Sequence, residues 1–181
     1  MIISRFEDCA FKAQKSNAID GKLDCKTMDD FVMYTHILLP TDGSELSQAG
    51  VAHGLALARL HGARVTTMTS TEAPGGQFAY SFELWTPDAA EMEAYEETQR
   101  RAAQAILEPV IKRAGQLGIE IEAVHVPDRL AAPAILDSAD KYGCDVIVMA
   151  SHGRTGMSRI ALGSQTADVL ARASMPVIVV R

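Results

Sequence analysis

The sequence predicts an α/β domain in which five parallel strands carry helices on both faces. Short apolar or β-branched runs alternate with amphipathic stretches in the order βαβαβαβαβ. Right-handed crossovers between such units give a parallel sheet covered on two sides. The run Val146-Ile147-Val148-Met149 is uninterrupted by any polar residue, as a strand buried on both faces requires. A chain of 181 residues with 48% hydrophobic content and a mean hydropathy near zero is also long enough for one well-buried domain.

Residues 1 to 32 show no sustained periodicity and read as a flexible N-terminal extension to a domain spanning residues 33 to 181. A second reading starts translation at Met33. Ile37-Leu38-Leu39 is the first strand, and Pro40-Thr41-Asp42-Gly43-Ser44 supplies turn and capping chemistry. Leu46 to His61 is a helix with a stripe of Val51, Leu55 and Ala58, widened by Ala49, Leu57 and Leu60. Gly62 stops it. Arg64 to Thr69 is β-branched and forms the second strand. After a loop from Ser70 to Trp85, Thr86-Pro87 opens the longest helix with a cap and a first-position proline. Its expected inner face is Met92, Tyr95, Ala102, Ile106, Val110 and Leu117, with a kink at Pro109. Gly118 ends it, and Ile119 to Val124 alternates as a half-buried edge strand. Pro133 starts a shorter helix to Tyr142; Ser164 starts the last one, to about Ala173. Pro176 to Arg181 closes the chain as a strand.

Composition removes several function classes. A net charge of −6 and a pI near 5.3 argue against nucleic acid, which needs a basic face. Cys9, Cys25 and Cys144 are too widely spaced for a CxxC pair, so neither a disulfide framework nor a zinc site is expected. His36, His53, His61 and His125 likewise lack ligand spacing. No apolar stretch reaches the roughly 20 residues of a membrane span, and the first residues do not resemble a signal peptide. A cytoplasmic location is the resulting expectation.

The stretch from Ala150 to Ser164 carries the chemistry. It holds three glycines, a histidine and two arginines, and no Asp or Glu occurs between Val146 and Ala167. A small, locally cationic loop feeding a helix N-terminus suits an anion, most often phosphate. Ligands in open parallel sheets sit at the carboxyl ends of strands where strand order reverses. If the first and fourth strands are neighbours, the Asp42 turn faces this loop across one crevice. That arrangement would suit a nucleotide, with phosphate on the loop and sugar or base near Asp42. The bland readings are a tight strand–helix connection for the loop, a helix cap for Asp42, and ordinary surface charges for Arg154 and Arg159. Ser164 is a helix cap under either reading. No base–nucleophile pairing makes His152 catalytic.

Pro40-Thr41-Asp42-Gly43-Ser44 after a short strand, together with Met-Ala-Ser-His-Gly, nine residues and Gly163-Ser164, resembles the universal stress protein family. The resemblance covers residues 33 to 181. It implies a doubly wound five-stranded sheet of order 3-2-1-4-5, dimeric through its last strand, Val177 to Val180. ATP-binding members carry G-x2-G-x9-G-[ST], and Gly153, Gly163 and Ser164 match its later positions. Ala150 stands where the first glycine would be. An extended Ala150 would add only the bulk of a methyl, whereas a left-handed one would impair the site. The implied nucleotide site comprises Pro40, Thr41, Asp42 and Ser70 on the adenosine side. On the phosphate side it comprises Met149, Ala150, His152, Gly153, Arg154, Gly156, Gly163, Ser164, Gln165 and Thr166. The Ser164 and Thr166 hydroxyls would assist the phosphates, and Mg²⁺ is the metal that would accompany the nucleotide.

Three functions compete: a dimeric ATP- or AMP-binding stress sensor, a slow ATPase, and an interaction module of the same fold without nucleotide. There is no Walker sequence and no identifiable water-activating carboxylate beside the loop, so fast catalysis is not expected.

Overall fold

The computed structural model describes residues 34–73, 88–151 and 163–181. The N-terminal extension, Thr86-Pro87 and the loop residues His152, Gly153, Arg154 and Gly156 lie outside them. The elements run β1 (His36–Pro40), α1 (Glu45–His61), β2 (Arg64–Ser70), α2 (Ala89–Gln116), β3 (Ile121–Val126), α3 (Ala131–Tyr142), β4 (Val146–Ala150), α4 (Ser164–Arg172) and β5 (Val177–Val180). The sheet order is β3-β2-β1-β4-β5, and every pairing is parallel, so fold and strand order are as expected. Among the described residues no helix is long and apolar enough to cross a membrane.

Alternation sorts the strands' side chains between two cores. Ile37, Leu39, Val146 and Val148 pack beneath α1 and α2 with Val51, Leu55 and Val110. Leu38, Met68, Ile147 and Met149 pack on the other face with Ala132, Ile135 and Val169 of α3 and α4. The central strands β1 and β4 are buried at every position, which is why their sequences are apolar apart from His36. The outer strands β3 and β5 are at most half-buried.

Several boundaries differ from expectation. Asp88, not Thr86, caps α2: its side chain accepts from the Glu91 amide while the Glu91 carboxylate accepts from the Asp88 amide, a reciprocal capping box. The inner face of α2 is Ala103, Leu107, Val110 and Ala114, not the stripe through Met92 and Ala102. No described residue of α2 before Ala103 is buried. At 28 residues the helix is about 42 Å long, whereas a seven-residue strand such as β2 spans about 23 Å, so its first half projects past the sheet.

β3 starts two residues later than its alternation suggests. Gly118 turns left-handed (φ 68°), its amide reaches Gly115 O and the Ile119 amide reaches Ala114 O. This closes a Schellman stop that draws Ile119 into the helix end and the buried core. α3 begins at Ala131, two residues before Pro133. A first-turn proline is tolerated there because its missing N–H has no helical partner to lose. The first residue of α4 is Ser164, but its cap is Gly163. Finally, α1 buries Gly50 and Gly54 beside Val51 and Leu55, while Leu60 is 80% exposed.

Candidate functional site

The crevice is built from two turns at the carboxyl ends of neighbouring strands. After β1, the Thr41 amide continues the sheet by donating to Met68 O (2.9 Å). Gly43 then adopts φ 80°, a conformation that any other side chain would strain. Asp42 Oδ1 accepts from the Ser44 amide (3.0 Å) and from the Ser44 hydroxyl (2.7 Å). Ser44 in turn caps α1, accepting from the Ser47 amide (3.2 Å). Ser47 also donates to Ser44 O (2.9 Å), and its hydroxyl meets that of Thr41 (3.1 Å). Asp42 is therefore not the helix cap; it holds the residue that is. The carboxylate fixes the turn and places a negative charge near the positive end of α1.

The second turn leaves β4. Ala150 is paired with Val180 in the ladder, is 7% exposed and is not among the residues with positive φ. It is therefore extended, and its departure from glycine amounts to one methyl group. Alternation directs that methyl toward α1, where Gly50 has no side chain. A Cβ on Gly50 would stand 3.0 Å from the Ala150 nitrogen and 3.3 Å from the Met149 carbonyl carbon. The contact brings the first turns of α1 and the end of β4 together, so the two halves of the crevice share one wall.

Three hydrogen bonds then bind the β4 exit to its surroundings. The Ser151 amide donates to Val180 O (2.8 Å), and Ser151 O accepts from the Gly163 amide (2.9 Å). The Thr166 hydroxyl donates to Ala150 O (3.1 Å). α4 begins with no side-chain cap from Gly163 and no acidic residue in its first turn, so the positive end of the helix lies beside the exit of β4. Ser164 is exposed, whereas Thr166 is 3% exposed.

Of the residues assigned from sequence, Pro40, Thr41, Asp42, Met149, Ala150 and Gly163 to Thr166 meet at β1 and β4. Ser70 lies one strand further out, as the last residue of β2, opposite Val126. His152, Gly153, Arg154 and Gly156 fall outside the described residues. The side chain of Gln165 has a job that sequence reasoning missed: its Oε1 accepts from the Ala132 amide (2.9 Å), 33 residues away. α3 has no cap of its own, since Leu130 occupies that position, and Gln165 supplies one from the neighbouring helix.

Among the described residues, the displaced pKa values lie away from the crevice. Burial pushes the Cys144 thiol up to about 11 and lowers His36; both sit at the amino ends of strands. His125, lowered by burial, meets Thr71 Oγ1 (2.9 Å) at the edge strand β3. None of these groups is poised beside α4 to activate water.

Comparison with known proteins agrees with this architecture. A model of the universal stress protein family matches residues 33–181. Universal stress protein MJ0531 of Methanocaldococcus jannaschii is 30% identical over 149 residues, covering 82% of this chain and 83% of the relative. A solved structure of protein MJ0577, a universal stress protein of the same organism, is 28% identical with a TM-score of 0.67, covering 82% of this chain and 96% of that one. A universal stress protein crystallised in complex with cAMP is 25% identical with a TM-score of 0.57, covering 82% and 98% respectively.

Proposed function

Because the chain belongs to the universal stress protein family, we propose that it is a cytoplasmic adenine-nucleotide-binding stress-response protein that takes ATP or AMP across the carboxyl ends of β1 and β4. The observation that carries the reading is the uncapped, acid-free start of α4 on the strand next to the Asp42 turn. Phosphate would meet the amides of residues 164 to 166, and adenosine would lie toward Pro40, Asp42 and Ser70. The extended Ala150 leaves room for this. The relative held with cAMP supports the same ligand class. Mg²⁺ would accompany a triphosphate and neutralise part of its charge. The chain's own residues bind and orient; with no base beside the phosphate end among the described residues, hydrolysis would be slow.

Isothermal titration of the full chain with ATP tests the reading. Saturable binding is expected, weakened at least tenfold in Gly163→Val. Gly163 has φ −61° and ψ 146°, a conformation valine adopts freely, so the substitution does not strain the backbone dihedrals. No saturable binding by the parent protein would favour an interaction module that keeps the fold without the nucleotide.

The same reading includes a homodimer through β5. This strand is apolar, half-buried and at a sheet edge, and an edge of that kind calls for a partner. Analytical ultracentrifugation should find a dimer at micromolar protein; a monomer at high concentration would sink the dimer.

A further inference from the structure

α4 is a short helix. It has nine residues, and only Thr166 and Val169 among them are buried. Val169 gives it a place in the apolar core, but an apolar contact does not fix rotation about a helix axis. Hydrogen bonds at its first turn do: Gln165 Oε1 accepts from the Ala132 amide of α3 (2.9 Å), and two more reach the end of β4. The Gly163 amide is attached to Ser151 O (2.9 Å), and one turn further on the Thr166 hydroxyl is attached to Ala150 O (3.1 Å). Gln165 ties the turn to α3, whereas among the described residues the Gly163 and Thr166 bonds tie it to the end of β4, and one of them alone would leave a pivot on that strand. A hydroxyl also has only one proton to donate, and a fully ionised phosphate oxygen can only accept. While Thr166 holds Ala150 O, it cannot also donate to a phosphate.

We infer that Thr166 is a positioning residue: it fixes the first turn of α4 over the end of β4 and thereby aims the amides of residues 164 to 166, without itself touching phosphate. Its consequence for the ligand rests on the nucleotide reading above; its effect on the ligand-free chain does not. Thr166→Val keeps the shape, removes the proton and leaves the Ala150 carbonyl buried without this donor, a change of roughly fivefold to tenfold or more in any equilibrium that depends on the bond.

The test uses the full chain and two variants, Thr166→Val and Thr166→Ser. In the ligand-free protein, amide hydrogen exchange at Gly163 should quicken about tenfold in the valine variant and return to the parent rate in the serine variant. By titration, the valine variant should bind ATP about tenfold more weakly, bind adenosine within twofold of the parent, and regain ATP affinity as serine. Parent-like exchange with weakened ATP binding would mean a direct phosphate contact and would overturn the inference. Parent-like behaviour in both measurements would also overturn it, as would equal loss of ATP and adenosine, which reports general damage. A parent protein that binds no ATP would sink the nucleotide reading alone, with the exchange measurement still deciding the role of Thr166.

Discussion

Gly50→Val is expected to lower the stability of the protein by about 3 kcal/mol, the upper part of the range for overpacking a filled core. The atoms that a new Cβ meets are the Ala150 nitrogen at 3.0 Å and the Met149 carbonyl carbon at 3.3 Å. These are backbone atoms of a central strand, so they cannot rotate aside as a side chain could. α1 must lift away from β4, which also opens the Val51 and Leu55 contacts. Alanine at the same position is milder: it meets the same wall, but recovers about 1 kcal/mol of helix propensity. Gly115→Ala provides the contrast. It is also helical, yet a Cβ there meets nothing within 4 Å, so the propensity gain should appear alone, about 0.5–1 kcal/mol of stabilisation. Urea denaturation should order the three proteins Gly115→Ala, parent, Gly50→Val, with the last midpoint lowered by about 1–2 M. A Gly50→Val midpoint equal to the parent's would show that the α1–β4 contact is softer than its distances indicate.

This contact also marks where sequence reading fails. The central strands were legible because burial on both faces forces Ile37-Leu38-Leu39 and Val146 to Met149 to be wholly apolar. The strand order had only to satisfy right-handed crossovers and the family resemblance. The inner faces of the helices were harder. On α1 the stripe of Val51, Leu55 and Ala58 is buried as its spacing requires, but the widening to Ala49 and Leu60 is not, because the helix turns its glycines to the sheet. Glycine contributes nothing to a hydrophobic pattern, yet it permits the closest approach; the Gly50-x3-Gly54 spacing was the available signal. On α2 the apolar pattern begins at Met92, in a half of the helix with no buried residue, so its phase differs from that of the buried face from Ala103 onward. At the start of α2 two cap signals compete in the sequence, Thr86-Pro87 and Asp88-x-x-Glu91, and the reciprocal capping box of the second sets the boundary. The Gln165 side chain and the Thr166 hydroxyl were unreadable for another reason: their partners are set by tertiary packing between α4, α3 and β4, and no local spacing encodes them. At the site itself, residue types suggested an anion-binding turn, whereas the conformation of Ala150, extended and paired with Val180, came only from the structure.

The second large effect lies at the opposite end of the sheet, where stability should fall with acid in two stages. Asp145 accepts from the Thr35 amide (2.7 Å) and hydroxyl (2.7 Å) and shares the His36 amide between its two oxygens (3.3 Å each). Burial alone would raise its pKa, but these bonds outweigh it and hold the carboxyl below the usual value of 3.8. The stability it contributes is therefore complete above pH 3.8 and is lost as pH falls through the lower folded-state pKa. His36 is 4% exposed. Its Nε2 meets Thr66 Oγ1 (2.8 Å), while Nδ1 makes no hydrogen bond of good geometry, although the Tyr142 and Gly143 backbone favours a proton there. Burial first and the Arg64 charge second lower its pKa from 6.5, against the opposing pull of Asp145. The unfolded chain thus takes up a proton that the folded one resists, and stability declines as pH drops below 6.5. His125, lowered by burial, adds to the same slope. Asp145→Asn should cost about 2 kcal/mol at pH 7, the weight of hydrogen bonds to a charged acceptor, and its gap from the parent should narrow below pH 4. His36→Gln should flatten the decline between pH 7 and 5, and His36→Gln with His125→Gln should nearly abolish it. Urea midpoints measured from pH 8 to 3 decide the matter: a parent protein whose stability rises on acidification through pH 6 would reverse the assigned signs.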